Sequence, residues 1–187
     1  VGMVKLVVRQ SWQGRPVGLD RLLGWLERLI YRAAGVRAED EMGWKTYALA
    51  MLAFAAKDPA ADTTRVGTVG YCMSGRFAIC AADSRPNVKA TASIYGVRLV
   101  TDSDNSPHLI AKRSPAEFYF ACAERDHWAP QEMVDQLKTQ LKGANGEVEQ
   151  YSGTDHGFAF PQRPVYNKVA AEQHWERVLA LFRRRLG

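Results

Sequence analysis

From Arg65 to the C-terminus, short apolar runs alternate with longer segments of helical periodicity, and this alternation constrains the fold more than any other feature. "RVGTVGY" reads as a strand, "SGRFAICAAD" as a helix and "KATASIYG" as a strand ending at Gly96. "PAEFYFACA" is a third strand, with its bulky side chains in the middle. "PQEMVDQLKTQLKGANG" is an amphipathic helix, with Met133, Val134, Leu137 and Leu141 on one side and a Lys-Gly stop. "EVEQYSG" is a short strand. "YNKVAAEQHWERVLALFRRRLG" closes the chain as a helix, with Trp175, Val178, Leu179 and Phe182 at helical spacing. Strands joined by helices of this length imply right-handed crossovers. The expected fold is α/β, in three layers, with a mostly parallel sheet and helices on both faces.

Before Arg65 the pattern is weaker. "VKLVV" (Val4 to Val8) reads as a strand. Asp20 caps a helix through "RLLGWLERLIYRAAG", with Leu22, Leu23, Leu26, Leu29 and Ile30 on one face and Gly35 at its stop. "WKTYALAMLAFAAK" reads as a second helix. No internal repeat or low-complexity linker divides the 187 residues, so a single domain over residues 1–187 is expected.

In an open α/β sheet, chemistry gathers at the carboxyl ends of the strands. Cys72 falls there, in "VGYCMSGR", directly after a strand and before a helix. A residue at so sharp a turn needs small neighbours two before and two after it, and Gly70 and Ser74 occupy those positions. This is a nucleophile-elbow pattern with cysteine in place of serine. The helix N-terminus stabilises a thiolate, and the Met73 N–H is placed to meet an oxyanion. Read alone, the stretch favours a small buried cysteine in a glycine-containing loop, and the downstream residues shift the balance to a nucleophile.

A thiol nucleophile needs a histidine in reach and a carboxylate to orient it. Among His108, His127, His156 and His174, only His156 sits in a glycine-flanked loop after the last strand, in "GTDHGFAF". His174 falls in the closing helix. Asp126, in "ACAERDHWAP", comes just after the preceding strand, so the order along the chain is nucleophile, acid, base. Asp155 and Glu124 are rival acids. Neighbouring side chains on an extended segment diverge, which favours Asp126 over Asp155. Trp128, Phe158 and Phe160 flank acid and base, and the choice between pocket lining and packing is open. Phe118, Phe120, Trp175 and Phe182 read as core, and Cys80 as a helix residue facing the core.

Three cysteines without close spacing point to neither a disulfide framework nor a zinc site. No cofactor and no metal ion are expected. The formal charge of +5 sits largely at Arg183 to Arg185, in the last turn of a helix, where cations complement the dipole. No nucleic-acid motif accompanies it. No apolar run approaches the ~18 residues of a membrane span, and no signal peptide is visible. The expectation is a cytoplasmic protein, monomer or homodimer, without nucleic-acid or membrane partners.

"GYCMSGR", "ERDHWAP", "GTDHGFAFP" and "AAEQHWERVLALF" together resemble the dienelactone hydrolase family of the α/β-hydrolase fold, from about Trp44 to the end. The resemblance implies hydrolysis of small-molecule lactones or carboxylic esters through a cysteine acyl-enzyme. Cys72 would be the nucleophile, His156 the base and Asp126 its orienting acid, with Met73 in the oxyanion hole. Arg98, Trp128, Phe158, Phe160 and Arg163 are the candidates for substrate contact. Three departures accompany it. Residues 1–43 match poorly, and the early "LHE-x-x-G" loop that supplies a second oxyanion donor in the family has no counterpart, so the chain reads as N-terminally truncated. Ser74 stands where the family commonly has glycine. Phe160 stands where some members carry a carboxylate-binding arginine, with Arg163 nearby. The alternative reading is a non-catalytic truncated homologue acting as a structural or binding protein.

Overall fold

The computed structural model describes residues 57–59 and 61–187, which belong to the second of two compact units, Ala48–Gly187. The expected strand at Val4 to Val8, the helix capped by Asp20 and residues 44–56 of the next expected helix lie outside the described residues.

The described order is β1 (Val66–Tyr71), α1 (Met73–Ser84), β2 (Val88–Ile94), α2 (Pro107–Arg113), β3 (Glu117–Arg125), α3 (Gln131–Gln140), β4 (Gly146–Asp155) and α4 (Lys168–Leu186). The four strands form one sheet in the order β1-β2-β3-β4, with every pairing parallel. Helices cover both faces, with α4 packed against β1, β2 and β3 and α1 against β1 and β2 on the opposite side. The α/β arrangement expected from the sequence is present.

Strand periodicity assigns the two faces. Ala90, Ala92 and Ile94 of β2 and Tyr119, Ala121 and Ala123 of β3 share a buried cluster with Ala170, Val178 and Leu181 of α4. The alanines let α4 lie close to the sheet. Phe118 and Phe120 belong to the other set of β3 positions, are fully buried and stack with ring centroids 6.4 Å apart. β2 is buried along most of its length, as expected of an interior strand of a parallel sheet.

One added helix, one strand end and one helix face differ from the expected ones. The segment holding His108 is the short helix α2, with Pro107 in its first turn and His108, Ile110 and Ala111 turned inward. β4 runs on to Asp155 because the pairing with β3 resumes at Arg125↔Asp155, past an irregularity. An Arg125–Asp155 ion pair of 2.7 Å and a 2.8 Å bond from the Gly153 N–H to Glu124 hold this extension. The inward row of α4 is Ala170, Ala171, His174, Val178 and Leu181. Trp175, expected in the core, and Leu179, at the same helical spacing, are 46% and 44% exposed, since the stripe runs through their neighbours. No helix among the described residues is long and apolar enough to cross a membrane.

A polar network ties α4 to the sheet. The Tyr119 hydroxyl donates to Glu149 at 2.6 Å, and Gln173 and Arg177 of α4 donate to the same carboxylate at 2.8 and 3.2 Å. Burial alone would raise the Glu149 carboxyl, but the bonds from Tyr119 and Arg177 outweigh it and hold the group below its ordinary 4.5. A depressed native value means the contribution is present above about pH 4.5 and is lost as pH falls through the native value. Replacing Glu149→Gln is expected to cost about 2 kcal/mol at neutral pH and to flatten the acid-side loss of stability. Urea denaturation between pH 3 and 7 measures both; an unchanged midpoint and slope would show that the network does not anchor α4.

Candidate active site

The strand ends set the site. Tyr71 pairs with Ile94, and Ile94 with Ala121, so β1 and β2 end level while β3 and β4 run further. The next residues are Cys72 after β1, Tyr95 after β2, Asp126 after β3 and His156 after β4. All four leave from the carboxyl edge of one sheet.

Cys72 takes φ 56° and ψ −124°, a conformation that non-glycine residues seldom adopt. The chain folds back so tightly that a Cβ on Gly70 would lie 2.2 Å from the Ser74 carbonyl oxygen. At Gly75 a Cβ would lie 2.5 Å from Ser93 Oγ, so α1 meets β2 there without a side chain between them. Ser74 latches the turn. Its hydroxyl donates to the Tyr71 carbonyl at 2.7 Å and accepts from the Tyr71 N–H at 2.8 Å. The Cys72 carbonyl accepts from Gly75 at 3.1 Å and Val97 at 3.4 Å, and its N–H donates to Ile94 at 3.0 Å. The cysteine is partly buried, whereas Cys80 and Cys122 are buried, and burial pushes the Cys122 thiol up to about 12.

His156 Nδ1 lies 2.7 Å from Asp126 Oδ2. The Asp126 side chain is fully buried and that of His156 is 14% exposed. The other Asp126 oxygen accepts from the backbone N–H groups of Trp128 at 2.9 Å and Ala129 at 3.2 Å. Both oxygens of this buried carboxylate are therefore engaged, and its orientation is fixed by backbone. The rival acids face elsewhere. Asp155 pairs with Arg125, whose hydrogen bond holds its carboxyl below the usual range, and Glu124 accepts from Gly153.

The remaining histidines have other surroundings. His127 is exposed, its ring edge-on to Trp128. His108 is buried with Nδ1 2.8 Å from Ser106 Oγ. His174 is fully buried, with Nε2 3.1 Å from the Tyr71 hydroxyl.

The loop after β4 returns across the strand ends, and Phe160 rests on Tyr71 with centroids 5.2 Å apart. That return offsets the width of the sheet, since neighbouring strands stand about 4.8 Å apart and three pairings separate β4 from β1. Tyr95 contacts His156 at 5.0 Å between centroids, and Cys72 packs against the cluster to which Tyr95 belongs. Among the described residues the Cys72 thiol forms no hydrogen bond. The hydrogen bond of the His156 ring goes to Asp126 and not to Cys72.

Met73, Trp128 and Phe160 are 61%, 64% and 42% exposed. Arg98 is exposed at φ 53°, next to Val97. Arg163 is also exposed and folds over the His156 loop, where a Cβ on Gly157 would come 3.0 Å from its Cδ. Phe158 departs from its expected place as a substrate contact. It is fully buried, edge-on to Tyr95 and stacked on Tyr151, and forms a floor beneath the loop. Tyr71 and Tyr95 lie within segments that the sequence marks only as strands, although Tyr95 comes just after the end of β2. No group of three or more His, Cys, Asp or Glu side chains among the described residues is arranged to hold a metal ion.

A parallel sheet with a tight turn after one strand, a buried Asp–His pair after two others and helices on both faces matches the α/β-hydrolase fold. The dienelactone hydrolase family model matches residues 31–186, and the chain belongs to that family. A Synechocystis protein provisionally named a carboxymethylenebutenolidase is 32% identical over 143 residues, covering 73% of this chain and 57% of its own length. An Escherichia coli protein with the same provisional name is 32% identical over 127 residues, covering 65% of this chain and 47% of its own. The crystal structure of a protein from Klebsiella pneumoniae, provisionally named a dienelactone hydrolase, superposes with a TM-score of 0.66 at 28% identity, covering 74% of this chain and 60% of the other. The chain spans about half the length of the curated relatives it matches.

The elbow gives a direct test. Gly70→Ala drives a methyl group into backbone that has no room to move, and is expected to lower stability by about 3 kcal/mol. A urea midpoint equal to that of the parent would mean that the turn relaxes freely and Cys72 is not held.

Proposed function

We propose that the chain hydrolyses lactone or carboxylic ester bonds through a Cys72–His156–Asp126 triad and a cysteine acyl-enzyme. The observation that carries this reading is the 2.7 Å His156–Asp126 bond at the same sheet edge as a cysteine in an elbow conformation. Asp126 fixes the imidazole so that Nδ1 carries its proton and Nε2 is left as the base. His156 takes the thiol proton as Cys72 Sγ attacks the substrate carbonyl. Charge develops on the carbonyl oxygen, where the Met73 N–H at the start of α1 meets it. Collapse breaks the C–O bond, and His156 passes the proton to the departing alkoxide. With a lactone, that alcohol stays tethered to the acyl group. His156 then deprotonates water, which cleaves the thioester and restores the thiol.

The rim residues suggest the kind of substrate. Met73, Trp128 and Phe160 would meet apolar or aromatic parts, and Arg163 and Arg98 an anionic substituent. The breadth of this assignment reflects the mixed character of the rim.

Purified full chain should be assayed on p-nitrophenyl esters and simple lactones. Cys72→Ala is expected to reduce turnover to background. Asp126→Asn should lower kcat by roughly 10²- to 10⁴-fold, through loss of the oriented tautomer, while Asp155→Asn stays within about twofold, since its partner is Arg125. Full turnover by Cys72→Ala would overturn the triad. The coverage of only about half of the relatives' length favours a second reading, a binding or structural homologue. Folded protein that turns over no ester or lactone and alkylates slowly at Cys72 would establish it instead.

A further inference from the structure

We propose that His174 is a positioning residue, which holds the Cys72 elbow through Tyr71 and braces the His156 loop through Phe158. The inference rests on the triad reading for its consequence, but its geometry stands apart from it.

His174 is fully buried on the inner row of α4, among Ala170, Ala171 and Val178. An aliphatic side chain would serve packing alone. Burial disfavours its charged form, so the ring sits there as neutral imidazole. Its hydrogen-bond partner among the described side chains is the Tyr71 hydroxyl, 3.1 Å from Nε2. Burial keeps that phenol protonated, pushed up to about 12. The phenol and Nε2 share one hydrogen bond, and neither group carries a charge in it. Nδ1 has no hydrogen-bond partner among the described residues, so the Tyr71 hydroxyl is the ring's polar anchor.

Tyr71 is thus held at both ends. Ser74 grips its backbone N–H and carbonyl, and His174 grips its hydroxyl. One peptide bond further on is Cys72 at φ 56°. The same imidazole meets Phe158 edge-on, at 6.1 Å and 86°. Phe158 is two residues past His156, and its carbonyl accepts from the Asn167 N–H at 3.0 Å. The Asn167 side chain in turn caps α4 by accepting from Ala170 at 3.1 Å. A single buried ring on α4 therefore touches both the loop just past the base and the residue just before the nucleophile. A shift at either place changes the Sγ–Nε2 approach, to which such chemistry is steeply sensitive.

The test compares Tyr71→Phe, His174→Phe, His174→Gln and the double Phe variant in the full chain. Two readouts are taken: iodoacetamide alkylation of Cys72, located by peptide mass, and kcat and KM on a p-nitrophenyl ester. Each single Phe variant should lower kcat and the alkylation rate by about tenfold with KM within twofold. His174→Gln, which keeps a polar partner for Tyr71, should recover most of the loss. The double Phe variant should be no worse than about the poorer single one, because both remove the same bond. The proposal is overturned if His174→Phe only lowers the melting temperature, or if the two Phe effects multiply. Should His174→Phe fail to fold, Tyr71→Phe, which removes one hydroxyl, decides by the same readouts. If wild-type protein lacks ester turnover, the triad reading fails, and the alkylation rates alone still judge His174.

Discussion

The close approach of Gly70 to the Ser74 carbonyl is the constraint on which the site depends. With 2.2 Å between that oxygen and where a Cβ would stand, the reversal from β1 into α1 admits no side chain at residue 70. The tightness of this reversal puts Cys72 at positive φ and lifts it out of the sheet at the start of a helix. Gly75 continues the same contact inward against Ser93. The Ser74 hydroxyl, on the Tyr71 backbone in both directions, takes up polar groups that the sharp turn leaves without ladder partners.

Asp126 and His156 reach the same edge by a different route. β3 and β4 extend beyond β1 and β2, so the residues after them emerge higher. The carboxylate is buried, and two backbone N–H groups and one imidazole satisfy it, which offsets the cost of taking it out of water. The loop after His156 then crosses back over Tyr95 and Tyr71, with Phe158 beneath it and Phe160 above. Helix α4 supplies the floor on which these aromatic groups rest. The fold thereby connects groups from four strand ends without any one of them lying on a long unsupported loop.

The alternation of strands and helices was legible because interior strands and one-sided helices impose different apolar periods. The tight turn at Cys72 was legible because it needs small neighbours, and the pairing of His156 with Asp126 rather than Asp155 because adjacent extended side chains point apart. The hidden features depend on three-dimensional neighbours. Trp175 shares the helical spacing of Val178, yet the sheet takes His174 instead, next to small alanines. Phe158 and Phe160 differ by two positions in one loop and look alike in sequence; one is fully buried and the other on the rim, and a turn carries no period from which burial can be read. The β4 extension depends on a pairing with Arg125 that no local pattern announces. Tyr71 reads as strand bulk, since its hydroxyl's partner 103 residues away leaves no local trace.

The central claim is that Cys72 carries the acyl group. The most direct measurement is acid quenching of the protein during turnover of an activated ester, then intact and peptide mass determination. The account predicts a burst of alcohol release close to one equivalent, with the acyl mass on the peptide containing Cys72 and absent from Cys72→Ala. Steady turnover with no acylated Cys72 at any quench time, or an acyl group carried on another residue, would contradict it.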